Sequence, residues 1–72
     1  MKEITAAMAG TVFNILVGLG EEITAGQEVI ILESMKMEIP VESQEHGKVV
    51  EIKVNIGDFV NEGDLLIVVG NE

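Results

Sequence analysis

A chain of 72 residues with no cysteine and a net charge of −9 leaves few classes of protein open. It has room for one small domain, burying only about 60% of the surface its unfolded chain exposes, and without thiols no disulfide scaffold or cysteine-based metal site can brace it. Four lysines against thirteen acids, with Phe13 and Phe59 as the only aromatics, argue against the cationic, base-stacking surface of a nucleic-acid binder.

The start of the chain, Met1-Lys2-Glu3-Ile4, lacks the long apolar core of a signal peptide, and no apolar run reaches the length of a membrane span. With the missing cysteines, this gives the expectation of a soluble cytoplasmic protein, off the membrane and monomeric in isolation. Phe13, Ile15 and Val17 alternate with Asn14 and Leu16, a period of two that predicts a strand with one face in and one out. Turns follow at Gly18-Leu19-Gly20-Glu21-Glu22 and at Gly26-Gln27, and then a continuous apolar strand over 29–32. A second extended run covers 38–41, where Pro40 predicts an edge strand or a bulge. The polar residues 42–45 lead through His46, read as a surface loop residue, to Gly47. Val50, Ile52 and Val54 alternate with Glu51 and Lys53, Asn55-Ile56-Gly57-Asp58 and Gly63-Asp64 form turns, and 65–69 is a final apolar strand. No segment has a helical period.

Displaced by 37, the chain lies on itself without a gap. Gly10, Gly20 and Gly26 fall on Gly47, Gly57 and Gly63, while Val12, Ile15, Val17 and Ile30 fall on Val49, Ile52, Val54 and Ile67. Phe13, Glu21, Ile23 and Val29 meet the similar Val50, Asp58, Val60 and Leu66. The expected architecture is all-β: a flattened barrel or sandwich, a barrel-sandwich hybrid, of two pseudo-twofold-related repeats, about 1–33 and 38–70, that close on each other within a single domain spanning 1–72. Residues 33–38 have no counterpart, because the equivalent place falls beyond the chain ends. They should form a tight hairpin at one end of the barrel, with both termini at the other.

That hairpin reads Glu33-Ser34-Met35-Lys36-Met37-Glu38. Short hairpin turns favour Asn-Gly or another glycine-containing pair, so Met-Lys is poor turn chemistry, and local rules tend to be broken where function outranks propensity. Two methionines flanking one lysine would face the same side of a strand, as core or as an adaptable contact surface. His46 alone is no metal site, which needs several converging ligands. Glu21 and Glu22, adjacent and so pointing apart on a strand, do not form a catalytic pair. Catalytic residues and metal ligands are therefore expected to be absent.

Ser34-Met35-Lys36-Met37-Glu38 resembles the attachment motif of the biotinyl domains, and the resemblance extends to the repeat and the glycine placements over the whole chain. It implies that Lys36 carries covalent biotin, with Met35 and Met37 as flanking recognition residues and Glu33, Ser34 and Glu38 as further recognition positions. It further implies a biotin protein ligase that presents biotin as an acyl-adenylate to the Lys36 amine. A biotin carboxylase and a carboxyltransferase would be the two stations between which a carboxyl group is carried, and the carrier would contribute no catalytic group. The family often has prolines where Ala7 and Gln44 stand, some members carry an inserted thumb for which 18–26 has no room, and an Ala/Pro-rich linker is missing. The expectation is a free-standing biotin carboxyl carrier. Two alternatives remain: a lipoyl carrier of a 2-oxo acid dehydrogenase-type complex, or an acceptor of both groups, although lipoyl lysines usually sit between Asp and Ala or Val; and an unmodified β-barrel interaction module.

Overall fold

The computed structural model describes residues 1–70 and holds eight strands among them: β1 (Lys2–Thr5), β2 (Gly10–Ile15), β3 (Glu22–Ile23), β4 (Glu28–Ser34), β5 (Met37–Glu42), β6 (Gly47–Ile52), β7 (Phe59–Val60) and β8 (Leu65–Gly70). They form two antiparallel four-stranded sheets, ordered β1-β8-β6-β3 and β5-β4-β2-β7. The all-β expectation holds. The apolar runs of β4 and β8 become inner strands of their sheets, and Val29, Ile30, Leu32, Leu66, Ile67 and Val69 are fully buried. With Val12 and Val49 they form the core between the sheets.

The pairing repeats at the displacement of 37. Val12 and Ile15 face Leu32 and Ile30 as Val49 and Ile52 face Val69 and Ile67. Ile4 faces Ile67 as Val41 faces Ile30. The short strands are exchanged: β7 pairs with β2 of the first half and β3 with β6 of the second, so each half completes the other's sheet and neither closes alone. The turns repeat as well. Glu21 Oε1 accepts from Gly18 N and Asp58 Oδ2 from Asn55 N, while Gln27 Oε1 accepts from Thr24 N and Asp64 Oδ2 from Asn61 N. Glu21 is thus a turn residue rather than a strand neighbour of Glu22.

One expectation of strand phase fails. Phe13 and Val50, grouped in sequence with the inward Val17 and Val54, are exposed, and the buried residues are Val12 and Val49. The pairing register shifts between Val12 and Asn14, and again between Val49 and Glu51. A β-bulge inserts one extra residue and resets the alternation, which lets Val12 and Val17 both point inward. Pro40 lies on β5, an edge strand, where a missing N–H costs no ladder bond.

Candidate functional site

β4 and β5 are joined by two residues. Glu33 faces Glu38 and Ser34 faces Met37, leaving Met35 and Lys36 as the whole turn. Both have positive φ, 53° and 64°, the backbone that a two-residue hairpin of right-handed twist demands at its central positions. The register shows where this turn stands in the molecule. Glu33 and Glu38 correspond to Gly70 and Met1, so the hairpin joins its two strands at the place that in the other half falls at Gly70 and Met1.

Met35 is 90% exposed and Met37 62%, so neither packs in the core; Lys36 between them is also exposed. The pair does not share one side of a strand as the spacing suggested, because Met35 belongs to the turn and only Met37 to β5. Glu33 and Glu38 are exposed, and Ser34 is half-buried where the tip meets the sheet. The ion pairs among the described residues join Lys2 to Glu45 and Lys53 to Glu51, and neither involves Lys36. Its amine therefore stands clear at the apex of a well-registered hairpin, accessible to an acylating enzyme. All six sequence-predicted site residues fall together at this tip. His46 is an exposed loop residue far along the chain from it.

The same end of the molecule bears a feature that sequence reasoning missed. Phe59 is 64% exposed and Phe13 46%, both on the outer face of the sheet that carries the tip. An unequal repeat partner, Glu22 for Phe59, was the signal in the sequence.

A flattened two-sheet barrel presenting one lysine at the apex of a protruding hairpin defines a carrier domain, built to offer a modified side chain to other proteins. The chain belongs to the biotin/lipoyl family, described as biotin-requiring enzyme, which matches residues 2–69. It is 50% identical over 68 residues to a biotin/lipoyl attachment protein of Bacillus subtilis (strain 168), covering 94% of this chain and 93% of that one. It is 41% identical over 64 residues to the biotin carboxyl carrier protein of Streptococcus mutans, covering 89% of this chain and 49% of that one. The fold superimposes on the crystal structure of Kluyveromyces lactis urea carboxylase with a TM-score of 0.89 at 33% identity, covering 96% of this chain and 6% of that one.

Proposed function

We propose that this chain is a biotin carboxyl carrier, a single carrier domain over 1–72 in which the Lys36 amine forms an amide with biotin. The observation that carries the reading is an exposed lysine at positive φ, between two exposed methionines, at the apex of the β4–β5 hairpin. Membership of the biotin/lipoyl family and the likeness to carboxyl carriers and carboxylases support it. Bound there, biotin supplies a ureido ring that takes up and gives away a carboxyl group.

The protein's part is positional. Six registered pairs between β4 and β5 hold the tip in one place, so the attached group stays on a projecting arm of fixed position. Met35 and Met37 offer soft, adaptable surface to whichever protein encloses the tip. The Lys36 amine is exposed, so a biotin protein ligase can enclose it and supply the base for its acylation. Its later partners are a biotin carboxylase and a carboxyltransferase, met in the cytoplasm by a carrier that is monomeric and not membrane-bound.

The test is the intact mass of the protein after incubation with biotin, ATP and a biotin protein ligase, followed by peptide mapping. One biotinyl group on Lys36 is expected, and none on Lys36→Arg, which should melt as cooperatively as the parent. A lipoyl group acquired in the producing cell, with biotin refused, would make the chain a lipoyl carrier. Both groups accepted would make it a shared acceptor, in keeping with the name of the Bacillus relative. Neither would leave an interaction module.

A further inference from the structure

Every sulfur in this chain is a thioether, since it has four methionines and no cysteine. It also lacks tryptophan and tyrosine, and its single histidine is His46. With no thiol to compete, methionine sulfur is the most readily oxidised group that the chain offers.

The four sulfurs are not equally placed. Met8 is half-buried and packs against the core. Met1 is exposed at the start of the chain. Met35 and Met37 are exposed on either side of Lys36, at the apex of the β4–β5 hairpin. Met35 belongs to the turn, at φ 53°, and Met37 opens β5 opposite Ser34. Neither contributes to the core, so the fold neither shields their sulfurs nor depends on keeping them apolar. The net charge of −9 disfavours the approach of an anionic oxidant but not of a neutral peroxide.

We propose that Met35 and Met37 are a peroxide-sensitive modification site that switches off the loading of Lys36; the proposal rests on the carrier reading of Lys36. In each step the thioether sulfur attacks one oxygen of hydrogen peroxide. The O–O bond breaks, an S=O bond forms, and the other oxygen leaves as water with both protons. The sulfur gives up two electrons and the peroxide takes them. A methionine sulfoxide reductase reverses the step with two thiol equivalents, which leave as a disulfide together with one water. The amine of Lys36 is untouched throughout, and what changes is the surface around it. A biotin protein ligase has to enclose that amine to acylate it, and a methionine adjoins Lys36 on each side. A thioether enters an apolar enclosure freely, whereas a sulfoxide brings a polar oxygen that is costly to bury without a donor.

The test uses the unmodified full chain, its mass verified first, titrated with hydrogen peroxide and followed by peptide mapping. Met35 and Met37 should each gain one oxygen, together with Met1 and well before Met8, and the protein should still melt cooperatively. Biotin protein ligase, given biotin and ATP, should then load Lys36 with kcat/KM about tenfold or more below that of the untreated protein, the loss expected when a buried contact is made polar. Methionine sulfoxide reductases for both sulfoxide epimers, with a thiol, should restore the rate. Met35→Leu combined with Met37→Leu keeps the tip apolar and removes its thioethers. Compared with its own untreated form, that variant should show no loss after the same treatment, although Met1 and Met8 remain. An unchanged kcat/KM with both tip sulfoxides formed overturns the proposal. So does a loss that persists in the leucine variant, or one that begins only when Met8 is oxidised and melting changes, because either puts the damage elsewhere. A parent protein that takes no biotin before peroxide is added overturns the carrier reading and this proposal with it, whereas a parent that loads equally well with and without peroxide overturns this proposal alone.

Discussion

Met35 and Lys36 hold a left-handed backbone at φ 53° and 64°, which costs a side chain with a Cβ roughly 1–2 kcal/mol per residue. Nothing in the core repays them, since both are exposed. The strain follows from needing a lysine at the apex of the shortest possible hairpin. Met35→Asn combined with Lys36→Gly, the pair that such turns prefer, should therefore stabilise the protein by about 1 kcal/mol after the extra chain entropy of glycine. In a domain of this size that raises Tm by about 4–8 °C, while modification is lost. An unchanged or lower Tm in a thermal melt would mean that the turn stores no strain. The tip was legible in the sequence for the same reason, because a Met-Lys pair where glycine belongs contradicts its own turn. Phe59 was legible only as a mismatch with its repeat mate Glu22: a lone apolar residue in a two-residue strand has no period, and only the register with Thr11 places it beside the tip.

At the scale of elements, the two halves share one plan but differ in how closely they pack against their glycines. A Cβ on Gly47 would overlap Gly70 O, would lie 2.7 Å from Val69 Cγ1, and would sit on a backbone with φ 148°. A Cβ on its repeat mate Gly10 would meet Glu33 O at 3.0 Å without that backbone conflict. Gly47→Ala should cost about 3 kcal/mol or more, combining strained backbone with overpacking. Gly10→Ala should cost about 1 kcal/mol. Urea unfolding of the two variants, compared at equal m-value, checks the difference; equal losses would mean that the crowding at Gly47 relaxes freely. The glycine spacing and the apolar runs made the repeat, and so the two-sheet fold, readable before any coordinates. The bulges at Phe13 and Val50 were not readable, since an inserted residue leaves the local alternation intact and only moves its phase. The exchange of β3 and β7 was hidden too, because a two-residue strand takes its sheet from long-range pairing.

At the scale of the whole molecule, charge opposes the fold. The net charge is −9, spread over a body of 37 × 19 × 18 Å. Glu33 stands directly opposite Glu38, and Glu28 opposite Glu42, each pair costing roughly 0.2–1 kcal/mol. The two ion pairs among the described residues join partly exposed groups at 3.3 and 3.6 Å, a geometry that contributes little. At 10 mM salt the screening length is about 30 Å, comparable to the molecule, so the acids repel one another across its width. At 1 M it falls to about 3 Å and only neighbours interact. Sodium chloride over this range should raise Tm by several degrees, and Glu28→Lys, which sets opposite charges across β4 and β5 far from the tip, should raise it at low salt and flatten the dependence. A Tm that falls with salt would mean that the ion pairs outweigh the repulsion.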